Sequence, residues 1–314
     1  MKKFFIAAIL LIAASGSYAC SICGCGGGNL YMGLFPSFKS SFIGARWNYA
    51  EYHTHLINDP TQFSHNFYNT FEIWGGFNIG KRWQVLAFLP YHHNVQFDDD
   101  MGHAVKSGLG DITLLANYKL FDTRNLKNQT NKTSQQIWIG GGIKIPTGSF
   151  NVDVHDSTTT LADINAQIGT GSVDLFLNAR HSVQFDKVGV STSVSYKIGL
   201  PNNQQYKYGN KLSVNSIAFY RISQKHVTVT PNAGLSFENI EVNKLNGQKI
   251  ILSDGLNSGS YATGGHVLNA LAGVEVTIKQ VTIGANIQSP LAQNFAAGQT
   301  KLNVKGMLHV TFAL

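Results

Sequence analysis

Beyond residue 25 this chain contains no cysteine. All three thiols, Cys20, Cys23 and Cys25, fall within the stretch ACSICGCGGGN, so the body of the protein can form no disulfide of its own. Charge is scarce as well. Asp, Glu, Lys and Arg supply 13% of the 314 residues, about half the share of an ordinary soluble domain. The 24 basic residues outnumber the 17 acidic ones but form no Lys/Arg block, which argues against a nucleic-acid partner. Proline is rare, at 7 residues. No apolar run reaches the ~18 residues of a membrane helix. Neither a Gly-x-Ser-x-Gly elbow nor a His-Glu-x-x-His motif is present, and the chain reads as a protein that is not an enzyme.

What is present begins with an export signal. Lys2 and Lys3 precede an apolar core at 4–14, and Ser17-Tyr18-Ala19 offers small residues for cleavage. That core is too short for a spanning helix, which needs about 20 residues. Cleavage would start the mature chain at Cys20. It takes the 24 basic residues to 22 against 17 acidic ones, a modest positive excess. Lipidation of Cys20 is a competing reading, although Tyr18 is bulky for a lipobox.

The body alternates with a period of two. In the last segment Leu302, Val304, Gly306, Leu308, Val310, Phe312 and Leu314 share one face. Asn303, Lys305, Met307, His309 and Thr311 share the other. Segments 188–200 and 226–237 repeat the pattern, as a strand with one apolar face must. About twelve such segments lie near 40–50, 67–80, 82–95, 108–121, 135–147, 166–185, 188–200, 210–222, 225–238, 266–278, 280–290 and 300–314. Each has roughly the 9 to 11 residues, or slightly more, that a tilted strand needs to cross a bilayer. Short turns at 80–82, 186–187, 223–225 and 279–280 alternate with long loops at 51–66, 96–107, 148–165, 201–209, 239–265 and 291–299. The polar link 122–134 breaks the rhythm. An even strand number with short turns at one end and long loops at the other predicts an all-β transmembrane barrel. It is antiparallel and up-and-down, with about 12 strands, periplasmic turns and extracellular loops. In lipid, only a helix or a closed sheet pairs every backbone group. Trp47, Tyr49, Trp83, Tyr91, Tyr118, Tyr196 and Phe312 fall on the apolar face near segment ends, where interfacial girdles form.

The domains read as a signal peptide at 1–19, a Cys/Gly-rich tail at 20–37, and an outer-membrane barrel at 38–314. The location that follows is the outer membrane of a Gram-negative cell, with the tail in the periplasm. The partners would be outer-membrane lipid, the barrel-assembly machinery, and a small-molecule or metal solute. Nothing in the sequence sets an oligomeric state.

If the apolar face meets lipid, parity places Arg46, Glu72, Asp111, Lys119, Lys144, Asp174, Arg180, Lys197, Arg221, Glu238, Glu275, Lys305 and His309 in the lumen. These are expected to line the pore or to bridge across it. Phe42, Trp74, Phe88, Trp138 and Phe176 have the same parity and could line a path for aromatic compounds. About eight strands are filled by side chains and 16 to 18 leave a channel, so twelve predict a narrow or gated pore.

Two groups of residues suggest metal. Cys20-x-x-Cys23-x-Cys25 with a free α-amine would offer four donors, and soft thiolates select Cu(I) and Zn. One disulfide with an odd thiol fits the same spacing in an oxidising compartment. His53, His55, His65, His92, His93 and His103 crowd the first two long loops beside Asp98, Asp99 and Asp100. Of these, His53, His55, His92 and His93 are the candidate ligands for copper or zinc. The tail could hang into the periplasm or fold up into the lumen.

The stretches GLGDITLLANYKLF (108–121) and IWIGGGIKIPTGSF (137–150) resemble the outer-membrane family named for the meta-pathway of phenol degradation. The Gly-x-Gly-Asp that opens one strand and the Lys-x-Pro-Thr-Gly that closes the next carry the resemblance, and the Cys-rich lead is similar to that of a subset. The resemblance implies a small-solute channel or transporter with no catalytic residues. The chain departs from barrel habit at its end, Phe312-Ala313-Leu314, where the usual terminal aromatic is displaced. The functional expectation is a small-solute channel, with a link to copper through the N-terminal thiols. Transport of hydrophobic or aromatic compounds, or a non-conducting structural barrel, are the alternatives.

Overall fold

A computed structural model describes residues 41–55, 63–98, 102–123, 133–156, 159, 161–251 and 263–314. The signal segment, Cys20, Cys23, Cys25, Asp99 and Asp100 lie outside the described residues. The strands in chain order are β1 (Phe42–His55), β2 (Phe63–Ile79), β3 (Trp83–Asp98), β4 (Gly102–Leu109), β5 (Ile112–Asp122), β6 (Thr133–Ile145), β7 (Asp174–Phe185) and β8 (Val188–Gly199). They continue with β9 (Tyr206–Lys207), β10 (Lys211–Tyr220), β11 (Ile222–Gln224), β12 (Val227–Ile240), β13 (Lys244–Leu245), β14 (Gln248–Lys249), β15 (Gly265–Ile278), β16 (Val281–Phe295) and β17 (Thr300–Ala313). Among the described residues a short α-helix, α1 (Leu161–Asn165), lies between β6 and β7.

Each long strand pairs antiparallel with its sequence neighbours. β1 closes on β17 and β10 closes on β12, which leaves the ring without a free edge. β4 and β5 both pair with β3 and form one wall, broken at Gly110-Asp111. β11 continues β10 past Arg221 along β12. The result is a closed antiparallel barrel of twelve walls, as the alternation predicted.

The wall is apolar outside and polar within. Ile73, Phe77, Leu177, Ile283, Ile287 and Leu308 are each at least half exposed. A continuous apolar surface of that extent is tolerated only where lipid covers it. Trp83 and Tyr118 meet edge to face at 4.9 Å near the short turns, where Arg82 donates to the Tyr118 hydroxyl. Trp47, Tyr49 and Tyr91 ring the opposite end of the apolar band. Trp83 and Tyr91 stand on the same strand face, and their separation corresponds to about 20 Å of height at barrel rise and tilt. No helix among the described residues is long and apolar enough to cross a membrane; the strands do so.

Tight turns mark the end that carries Phe42 and Ala313. Asp186, Lys225 and Lys279 open three of them with φ of 50°, 47° and 54°, because two-residue hairpins need a left-handed first position to match strand twist.

Three expectations need correction. Residues 96–107 are not a loop, since β3 and β4 continue as a paired hairpin to Asp98↔Gly102. The strand expected from 166 starts at Asp174, and 166–173 belongs to the long connection before it. Leu302 does not face lipid. The β1–β17 register slips between Glu51 and Tyr52, the bulge reverses the parity, and Leu302 is buried against Tyr52 and Phe295 while Lys301 turns outward.

Candidate functional site

The polar interior is a lattice set by register. Across β5, β6, β7 and β8 the inward positions form four rows from the short-turn end upward. They are Lys119–Trp138–Arg180–Ser193, then Asn117–Gly140–Asn178–Ser195, then Leu115–Gly142–Phe176–Lys197, then Thr113–Lys144–Asp174–Gly199. The lowest row is cationic around one indole: Lys119 Nζ lies 4.8 Å and Arg180 Cζ 5.8 Å from the Trp138 ring centroid. Lys119 also meets Asp122 at 3.3 Å.

The top row joins the two motifs that the sequence offered separately. Lys144 Nζ lies 2.8 Å from Asp111 Oδ2 and 3.0 Å from Asp174 Oδ2, and Lys197 reaches Asp174 at 3.5 Å. Asp111 accepts three further bonds, from the Gly148 amide (2.9 Å), the Thr170 amide (3.0 Å) and the Thr170 hydroxyl (2.9 Å). Thr147 donates through Oγ1 to the Gly110 carbonyl and accepts from the Ile112 amide. The Gly-Asp of one wall and the Lys-Ile-Pro-Thr-Gly of the next thus form one interlock. An isolated buried charge is costly, and this set is tolerable because each charge has an opposite partner.

The interlock anchors a lid. Val154 and Ile164 from residues 146–173 pack with Tyr206 and Tyr208 from the next outer connection, and Leu245 and Ile250 from a third lie against them. Tyr208 donates to the Ile164 carbonyl, and Asn243 donates to the Tyr206 hydroxyl. β9, β13 and β14 form a small sheet within it. Ile250 also packs on the group around Tyr52, Val267 and Leu302 at the outer mouth.

On the opposite wall, Arg46 pairs with Glu72, and its guanidinium lies 5.3 Å from the ring centroids of both Trp74 and Phe88. Phe42, Trp74, Phe88 and Phe176 form one inward apolar group with Leu86 and Leu115. His309 Nε2 comes within 3.8 Å of Glu275. Glu238 receives Lys211 at 3.0 Å and Lys305 at 2.8 Å. β17, which carries Lys305, is separated from β12 by β16 and β15, so this contact is a chord across the lumen. Arg221 lies at the short-turn end, 5.9 Å from the Phe219 ring.

The candidate metal histidines divide between faces. His92 is buried inside against Thr70 Oγ1, whereas His93 next to it points outward to Ser107. His53 and His55 are outside, above the upper aromatics. There His53 Nδ1 is 2.8 Å from His65 Nε2, and His55 stacks on His53 at 5.9 Å. Burial, then His65, His55 and Lys301, holds His53 below its ordinary pKa. Among the described residues no three His, Cys, Asp or Glu gather closely enough to hold a metal. Lys211 and Thr170 were missed in the sequence. Lys211 shares the inward parity of Ser213 and Asn215, a usable signal; Thr170 sits in a connection without periodicity and gives none.

No family model matches the sequence, and no curated protein matches it. Among solved structures, an outer membrane channel from Pseudomonas putida F1 superposes with a TM-score of 0.59 at 12% identity, covering 88% of this chain and 96% of that one. The β domain of the Bordetella autotransporter BrkA gives 0.48 at 10% identity, covering 88% and 100%. LpxR from Salmonella typhimurium gives 0.41 at 9%, also covering 88% and 100%. The closed ring, the apolar belt and the first of these likenesses define a closed, twelve-stranded outer-membrane β-barrel. The finer family name rests on the two motifs alone.

Proposed function

We propose that the protein is an outer-membrane channel for small polar solutes, narrow in its lumen and shut at its outer mouth by the Asp111–Lys144–Thr170 interlock. The observation that carries this reading is the inward lattice of alternating charge, Asp111–Lys144–Asp174–Lys197 on one side and Lys211–Glu238–Lys305 on the other. A barrel that served only as a wall would have no use for so many desolvated ions, which stabilise less than apolar packing of the same volume. The short-turn end and the thiol-bearing tail then face the periplasm, and the assembly machinery inserts the chain. Planar-bilayer recordings of the purified protein test the reading. Small, discrete conductance steps are expected, and silence under all voltages and salts would favour a purely structural barrel.

A second reading follows from the thiols. Cys20, Cys23 and Cys25 would bind copper or zinc and couple the channel to a soft metal. Metal analysis of protein purified without oxygen should find stoichiometric metal, lost on substituting all three cysteines by serine; a disulfide and no metal would reject it. A path for aromatic compounds is favoured by the stacked Trp74–Phe88 pair, 6.1 Å between centroids. Uptake of an aromatic acid into vesicles that falls in Trp74→Ala would support it.

A further inference from the structure

The lipid-facing wall is dented on one side. Across β3, β2, β1, β17, β16 and β15 the outward side chains line a concavity of ≈ 890 Å³, in which Ile73, Trp47, Leu308 and Ile283 surround the small side chains of Ala45 and Ala285. Ligand sites commonly enclose roughly 300–1,000 Å³. Six neighbouring strands make about 24 Å of wall, wide enough for several hydrocarbon chains side by side. On the lumen side of the same wall Gly284 carries no side chain, and the His309 ring lies where its Cβ would be. A glycine within a strand lets a sheet bend tightly. A second copy of this chain does not suit the dent. A two-fold contact sets a patch against itself, and two concave faces would leave a void that forfeits dispersion contacts.

Above the dent, toward the long loops, the same wall carries a polar patch. Register sets His65, His53 and Lys301 side by side on β2, β1 and β17, and Lys301 is exposed. His53 Nδ1 lies 2.8 Å from His65 Nε2, so one of these nitrogens donates and the other accepts. In either arrangement of two neutral rings, the two remaining nitrogens are one N–H and one lone pair. The pair therefore keeps a donor to offer. Glu51, on the same face, is engaged by the Tyr49 hydroxyl at 3.3 Å and the Asn303 amide at 2.8 Å. From Trp47 up to His53 the strand rises about 15 Å.

We propose that this wall binds a glycolipid of the outer leaflet, one with phosphates on its head and several acyl chains. A phosphate is taken by Lys301 and the N–H of the His53–His65 pair, since an ammonium beside a neutral donor makes charge-assisted bonds to phosphate oxygens. The chains run down past Tyr49 and Trp47 and end in the dent. Hydrocarbon around the barrel is already out of water, so the dent contributes packing contacts rather than a hydrophobic drive. The head patch then supplies most of the affinity, and the dent selects for a lipid with enough chains to fill it. The proposal rests on this juxtaposition of a phosphate-sized polar patch and a broad apolar dent on one wall. It needs the barrel in the outer membrane with its long loops outward, but no conducting lumen.

The test is native mass spectrometry of the whole mature protein, refolded in detergent without lipid and titrated with phosphorylated, hexa-acylated lipid A. A single saturable adduct is expected. Lipid A stripped of its phosphates should bind about tenfold more weakly. Phosphatidylglycerol, which has a phosphate but only two chains, should fall about as far. His53→Gln, His65→Gln and Lys301→Gln together should weaken phosphorylated lipid A about tenfold and leave the dephosphorylated form unchanged. Ala45→Leu with Ala285→Leu, which fills the dent, should weaken both forms about tenfold. The heat-dependent shift of the barrel in gel electrophoresis checks that each variant is folded. Unsaturable adducts with no preference among the three lipids would mean an ordinary lipid shell and would overturn the proposal. Phosphatidylglycerol bound as tightly as lipid A, or undiminished lipid A binding in either set of substitutions, would overturn it too. Because the assay reads binding and not passage, silent bilayers would sink the channel reading and leave this one standing.

Discussion

Lys144 Nζ lies 2.8 Å from Asp111 Oδ2, and both side chains are almost fully withdrawn from solvent. Asp111 also takes the amides of Gly148 and Thr170, so a single carboxylate holds two points of the lid to the wall. Asp111→Ala should therefore open the mouth rather than unfold the barrel. Removing one partner of a buried pair costs about 3–5 kcal/mol. The lower end applies, because Lys144 keeps Asp174 at 3.0 Å. Larger or longer single-channel openings and faster proteolysis within 146–173 are the expected readings. Unchanged openings would show that the lid does not gate.

His309 reaches Glu275 by lying over Gly284, where a Cβ would come within 1.8 Å of His309 Nε2. Gly284→Ala should push the ring off Glu275 and destabilise the barrel by roughly 1–3 kcal/mol, the usual cost of overpacking. Adding His309→Ala should recover most of that loss, because the clash is with the ring. The temperature at which the folded gel band disappears measures both variants. A double variant no better than Gly284→Ala would place the strain in the backbone instead.

The strand count and facing were legible because a membrane wall enforces period two on both surfaces, and Lys119, Trp138 and Arg180 could be assigned inward by parity. Their alignment in one row could not, since it depends on a register slip between Lys119 and Phe121. Parity also misled at Leu302, where an unannounced bulge reverses the face. The lid escaped altogether: Ile164, Tyr206 and Tyr208 are buried in connections with no repeat, so nothing in their spacing marks a core. The histidines looked like one cluster because sequence proximity hides that His92 and His93 must point to opposite faces.

Acid should loosen the outer end of the β1–β2 hairpin. His53 and His65 share one hydrogen bond at 2.8 Å, which requires one ring nitrogen to accept. Burial and then His65, His55 and Lys301 lower the His53 pKa, with Glu51 acting the other way. A solvated His53 with a pKa near 6.5 binds a proton more readily than the packed one. The stabilisation is thus complete above that value and is lost as pH falls through the lowered one. Hydrogen exchange of the amides near His53 and His65, corrected for intrinsic rate, should accelerate across that window. His65→Asn should flatten the dependence; an equally steep profile in that variant would assign it to another group.

Lys305 crosses the lumen to Glu238, and its removal tests whether the chord narrows the path. In Lys305→Met the methionine keeps most of the stem's volume, and Glu238 retains Lys211 at 3.0 Å. The carboxylate is therefore not stranded, and the stability loss should fall below the 3–5 kcal/mol of a broken buried pair, near 1–2 kcal/mol. The effect on passage should be larger, because one positive charge leaves a confined space of low dielectric where its field is weakly screened. Reversal potentials in a salt gradient should move toward cation preference, and conductance should rise with the chord gone. A shift in selectivity without a rise in conductance would mean that Lys305 sets the field while other side chains set the width. If neither changes, ions do not pass between β12 and β17, and the conducting route must follow the Lys119–Trp138–Arg180 wall instead.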